Sequence, residues 1–327
     1  MKFKVSSGLN IEATALGDSN DPLVILLHGG GQTRHAWGAT AKKLSHSGFY
    51  ALAIDLRGHG DSDWSEEGDY AIESYRDDLV SIIEEVGKPA FLIGASLGGM
   101  ISLSTAGDTK YQELCKALVM VDIGIYPNED GSNEILNFMS SGFTGFDSLE
   151  EASNAITSYL PHREKPKDIS GLRKNLRLKE DGRYYWHWDP KFIESRTSNP
   201  DRGEYRKKQR NYAETVIVPT LLIRGALSNV VTQEEVDDFL TTISHAEFVE
   251  IDKAAHMIAG DRNDIFANAA ITFLQEILNS EKWVMRSLRQ WQYHYLVQTL
   301  LQIILTSQSL LLNQFLETCY KRGLHCR

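Results

Sequence analysis

Cysteine is scarce in this chain: Cys115, Cys319 and Cys326 are the only three in 327 residues, and they are scattered. That excludes a disulfide framework and suits a reducing compartment. Cationic residues are also short, 34 Lys and Arg against 44 Asp and Glu, for a net charge of −10. With no basic stripe to offset it, that balance argues against nucleic acid as a partner. The N-terminal stretch Met1-Lys2-Phe3-Lys4-Val5-Ser6-Ser7-Gly8 has no apolar core, so no secretory signal is visible. Before residue 281 no uncharged apolar run is long enough to cross a bilayer. Composition is otherwise ordinary, at 42% hydrophobic and 24% charged with 8 prolines and 25 glycines, which excludes collagen-like, low-complexity and wholly disordered chains. The expectation is a soluble cytoplasmic protein.

What is present is a βαβ rhythm. Residues 2–6 and 9–16 read as a hairpin around Gly8. Residues 22–27 form a continuous apolar run that stops at His28-Gly29-Gly30-Gly31, as a central strand covered on both faces would. A helix is expected over 33–47, a strand over 50–54, a helix near 72–86 ended by Gly87 and Pro89, and strands over 90–94 and 117–122. The rhythm breaks between about 124 and 213, where charges and the cluster Tyr184-Tyr185-Trp186-His187-Trp188 suggest a mainly helical insertion. Strands over 219–223 and 246–251 and an amphipathic helix near 261–279 restore it. The fold expected is a doubly wound, mostly parallel α/β sheet, with residues 1–123 and 214–280 forming one core and 124–213 a helical cap.

The segment Gly94-Ala95-Ser96-Leu97-Gly98-Gly99 follows an apolar strand and precedes a helix pattern. It matches the G-x-S-x-G nucleophile elbow, in which glycines on both sides of a sharp turn let the serine hydroxyl project from the sheet. A tetrahedral oxyanion needs two preorganised N–H donors. Leu97, which follows the serine, offers one; Gly30 is the choice for the second, ahead of Gly31.

Taken in order, His28-Gly29-Gly30, Asp55-Leu56-Arg57-Gly58-His59-Gly60-Asp61-Ser62 and Gly94-Ala95-Ser96-Leu97-Gly98-Gly99 resemble the α/β-hydrolase superfamily, in its branch with a helical cap. The resemblance covers about residues 1–280. It implies a histidine after the last strand, which His256 supplies as general base, while His28 and His59 resemble loop-shaping positions. It also implies an acid after the preceding strand, and here this chain departs, with Asn229 in that place. An amide can hold an imidazole but cannot stabilise an imidazolium by charge, and in a serine protease the Asp→Asn change costs about 10⁴ in kcat. Asp122, at the end of the sixth strand, is the alternative acid, and Asp252 a third.

A serine nucleophile forms an acyl-enzyme, unlike the aspartate of haloalkane dehalogenases, so the expected substrate is a small-molecule ester or related acyl compound. No metal or organic cofactor is indicated. The alternatives are a perhydrolase or cofactor-free haloperoxidase-like enzyme, or a degenerate hydrolase that binds ligand without turnover because of Asn229. Residues 281–327 carry six Lys and Arg against two acidic residues and an uncharged, glutamine-interrupted stretch from 290 to 316. An appended or misframed C-terminus is preferred there to contact with a membrane surface or a partner.

Overall fold

The computed structural model describes residues 1–159, 168–197, 202–252, 254 and 265–280. Two compact units divide the chain, residues 1–274 and 275–327. Of the second, only the helical turn to residue 280 is described, so the expectations for 281–327 lie outside the described residues.

In the first unit the elements run β1 (Lys2–Lys4), β2 (Asn10–Leu16), β3 (Leu23–Leu27), α1 (Gly38–His46), β4 (Tyr50–Ile54), α2 (Ile72–Val86), β5 (Ala90–Ala95), α3 (Leu97–Gly107) and β6 (Cys115–Val121). Then come α4 (Glu129–Ser140), α5 (Leu149–Tyr159), β7 (Leu176–Leu178), β8 (Tyr184–Trp186), α6 (Pro190–Thr197) and α7 (Arg202–Thr215). The unit closes with β9 (Thr220–Gly225), α8 (Gln233–Thr242) and β10 (Glu247–Ile251). A last helix covers 265–280.

Eight strands form one sheet in the order β1-β2-β4-β3-β5-β6-β9-β10. From β4 to β10 all neighbours are parallel, and only β1–β2 and β2–β4 are antiparallel. This is the mostly parallel α/β sheet the sequence predicts. All five residues of β3 are buried, because helices cover both faces of a parallel sheet and every side chain must be apolar. Among the described residues no helix is long and apolar enough to cross a membrane.

Helix α3 differs from the amphipathic helices around it: all eleven of its residues are buried. Its hydroxyls are satisfied within the helix, Ser102 Oγ donating to the Gly98 carbonyl and Ser104 Oγ and Thr105 Oγ1 to that of Ile101. Burying this helix fixes the turn that precedes it against the centre of the sheet.

Between β6 and β9 the chain is not purely helical. β7 and β8 pair antiparallel, so the cluster expected within a helical insert is partly a strand. Trp186 and Trp188 stack at 4.8 Å, and Phe146 meets Trp186 edge-on at 5.0 Å. Trp186 and Trp188 thus pack this segment internally. It is tied to the sheet through the loop after β4. The Gly60 N–H donates to His187 Nδ1 at 2.7 Å, the Asp189 N–H to the Gly58 carbonyl, and Tyr70 Oη to Asp189 Oδ2 at 2.6 Å. That loop is itself anchored by Arg57, whose guanidinium donates twice to the buried Asp78 carboxylate, both bonds at 2.6 Å.

Candidate active site

Ser96 stands between β5 and α3 with φ 48° and ψ −112°. A non-glycine residue at positive φ is strained, and such strain concentrates at functional turns. Close packing on either side holds it there. A Cβ on Gly94 would fall 2.3 Å from the Gly98 carbonyl oxygen, and a Cβ on Gly98 would fall 2.2 Å from that of Leu27. Neither glycine can be replaced without moving backbone, so the spacing of the elbow motif has a steric cause.

The loop after β3 lies against this turn. A Cβ on Gly29 would meet Ser96 Cβ at 3.4 Å, and the Gly29 N–H is taken by Gln32 Oε1 at 3.1 Å. Among the described residues neither the Gly30 nor the Leu97 N–H has an acceptor, and both residues line the cavity that holds Ser96. Two amides in this setting can serve a developing oxyanion.

Asp122 is the other described residue, besides Ser96, with positive φ outside glycine, at 50°. Parallel strands β5 and β6 pair Ala95 with Val121, so Ser96 and Asp122 are the next residues along two neighbouring strands. The Ser96 N–H donates to the Val121 carbonyl at 3.1 Å across that edge. Asp122 is fully buried. Its Oδ1 accepts the Gly225 N–H at 2.9 Å, its Oδ2 accepts Ser228 Oγ at 2.5 Å, and its own N–H donates to the Ile223 carbonyl at 2.7 Å. Ser228 Oγ already accepts the N–H groups of Val230 and Val231, so its single proton is directed at Asp122.

Asn229 has different surroundings. It is exposed, and its amide donates to Glu134 Oε2 of α4 at 2.5 Å. In the turn after β9 it is Ser228, one residue earlier, that faces the end of β6. Asp252 is exposed directly after β10. His256 lies outside the described residues. Two residues before it, buried Ala254 accepts the Leu227 N–H at 2.8 Å, so the chain leaving β10 folds against the turn that carries Ser228.

The other conspicuous histidines form a buried group of their own. His28 and His59 lie 5.3 Å apart and His59 and His187 6.0 Å. Burial pushes the His28 pKa down to about 4 and that of His59 to about 3, and drives His187 well below the usual imidazole range. His28 Nε2 accepts the Leu56 N–H at 3.0 Å and His187 holds Gly60, which makes both neutral loop-shaping groups.

Above Ser96 is a cavity of about 650 Å³. Gly30, Ser96 and Leu97 line it from the sheet, while Met139, Phe192 and Tyr205 line it from the segment between β6 and β9. The tryptophans of the aromatic cluster are not among its lining residues. Sequence reasoning missed Phe192, Met139 and Ser228. Each owes its place to tertiary contact, and none stands in a motif.

The chain matches the family of the alpha/beta hydrolase fold over residues 22–262, and it belongs to that family. An esterase, Rv0045c of Mycobacterium tuberculosis, is 28% identical over 252 residues, which is 74% of this chain and 78% of the relative. Its crystal structure superposes with a TM-score of 0.64 at 26% identity, covering 82% of this chain and 89% of that one. Protein phosphatase methylesterase 1 of Bos taurus is 33% identical over 139 residues, 41% of this chain and 36% of the relative. The structure of E-2-(acetamidomethylene)succinate hydrolase shares the fold with a TM-score of 0.74 at 21% identity, covering 84% of this chain and 98% of that one.

Proposed function

We propose that this α/β hydrolase cleaves carboxylic esters of small molecules through an acyl-enzyme, with Ser96 as nucleophile, His256 as general base and Asp122 as the acid that orients it. The observation that carries the reading is the register pairing of a strained Ser96 with a buried, hydrogen-bonded Asp122 at the carboxyl edge of β5 and β6. Support also comes from relatives named as esterases.

Ser96 Oγ attacks the ester carbonyl carbon and its proton passes to His256. The carbonyl oxygen, now an oxyanion, is held by the N–H groups of Gly30 and Leu97. Collapse expels the alcohol, which takes the proton back from His256. Water, deprotonated by His256, then attacks the acyl carbon; the bond to Ser96 Oγ breaks, Oγ takes the proton back from His256, and the acid departs. Asp122 accepts the second ring N–H and takes no part in the proton transfers. It fixes the imidazole tautomer and stabilises the imidazolium, while the donors Gly225 and Ser228 fix Asp122 in turn. With an acid at Asp122, the amide at position 229 gives no ground for a protein that binds without turnover. The segment between β6 and β9 acts as the cap, and the scattered cysteines fit a cytoplasmic setting.

The test is turnover of short p-nitrophenyl esters together with labelling of Ser96 by a fluorophosphonate. Wild type should do both and Ser96→Ala neither. Turnover that survives in Ser96→Ala would contradict the reading.

A further inference from the structure

The cavity over Ser96 is lined by ionic side chains as well as apolar ones. Asp69, Glu73, Arg196, Glu204, Arg206 and Lys208 line it. Glu73 takes Lys208 at 3.2 Å. Asp69 accepts from Ser74 Oγ and the Ala71 N–H and lies 3.6 Å from Arg57. Arg206 covers the Tyr126 ring at 4.8 Å.

Arg196 stands apart from these. Among the described residues it has no carboxylate partner, and its one hydrogen bond is a long donation from Nη2 to the Tyr70 carbonyl at 3.4 Å. Its guanidinium lies 5.4 Å from the centroid of the Phe192 ring. The same ring approaches the oxyanion loop, with Phe192 Cζ 3.5 Å from where a Cβ on Gly30 would sit. One aromatic ring thus lies between Gly30 and a half-buried guanidinium, a planar fork of five donors. A bidentate carboxylate matches that fork.

We propose that Arg196 is the subsite for a carboxylate at the far end of the substrate's acyl chain, so that the preferred esters are hemi-esters of short dicarboxylic acids. This rests on the acyl-enzyme reading. The acyl side is the one assigned because it stays bound to Ser96 through both half-reactions, whereas the alcohol departs after the first. Phe192 supplies the apolar wall for the intervening methylenes.

The experiment compares kcat/KM for mono-p-nitrophenyl glutarate and p-nitrophenyl pentanoate, chains of equal length that differ in the terminal charge. Wild type should favour the glutarate by about 10- to 100-fold, the range of a charge-assisted hydrogen bond. In Arg196→Gln that ratio should fall to near one, and Arg196→Lys should retain part of it. Independently of any variant, free glutarate should inhibit wild type competitively and more strongly than pentanoate. A wild-type ratio near one, a ratio that survives Arg196→Gln, or equal inhibition by the two acids overturns the subsite while leaving the esterase reading intact. Failure to cleave either ester, with no fluorophosphonate labelling of Ser96, overturns the esterase reading itself and the subsite with it.

Discussion

Two turns at the carboxyl edge of the sheet compete for the role of third catalytic member, and they are built differently. The turn after β6 holds Asp122 fully buried, at positive φ, with Gly225 and Ser228 donating to its carboxylate. The turn after β9 holds Asn229 exposed, bonded outward to Glu134. Position along the chain therefore does not assign a role. Backbone strain and convergent donors are what a fixed carboxylate requires, and only the first turn supplies both. The second turn contributes through Ser228, as a support for the first.

The largest effects should come from the register pair. Ser96→Ala should lower kcat on a p-nitrophenyl ester by at least about 10⁴-fold, as loss of a serine nucleophile does elsewhere. Asp122→Asn should cost about 10³- to 10⁴-fold, chiefly in kcat, because the amide favours the wrong tautomer of its imidazole partner. A loss confined to KM would break the comparison.

A pH series sharpens it. His28 and His59 are held neutral by burial, with pKa values pushed down to about 4 and about 3. The unfolded chain binds their protons near pH 6.5, so between pH 6.5 and 4 it carries more protons than the folded chain. Stability is therefore full above about pH 6.5 and is lost as pH falls towards the folded values. Thermal melts should show a fall in Tm that begins near pH 6.5, and His28→Gln with His59→Asn should flatten it. Any loss of activity between pH 7 and 5.5 in protein that remains folded must come from another group, for which the proposed general base His256 is the candidate.

Smaller effects separate the two turns directly. Ser228→Ala removes one hydrogen-bond donor to the Asp122 carboxyl group and should reduce kcat about 10-fold. Asn229→Asp, at an exposed position bonded outward to Glu134, should change kcat/KM by less than about 2-fold, in the range of surface charge changes.

Much of this architecture was legible in the sequence because buried parallel strands are unbroken apolar runs. β3, β4 and β5 fall within a residue of the expected bounds, and α2 covers the expected 72–86. The elbow was legible because its glycines have a steric reason to be there. Less visible was the β7–β8 hairpin, since strands of three residues leave no period to read. Helix α8 was overlooked although its capping box, Thr232 with Glu235, is written in the sequence. The acid was legible only as a choice between positions. Which way a turn points its side chains depends on hydrogen bonds between β6 and β9 segments about a hundred residues apart in the chain, as in the Asp122–Ser228 pair.

The most direct test of the central claim is a side-by-side measurement of kcat for Asp122→Asn and Asn229→Asp on one p-nitrophenyl ester. If Asp122 is the acid, the first loses about 10³-fold or more and the second stays near the wild-type value. A large gain in Asn229→Asp, with Asp122→Asn little changed, would contradict that assignment and return the acid position to residue 229.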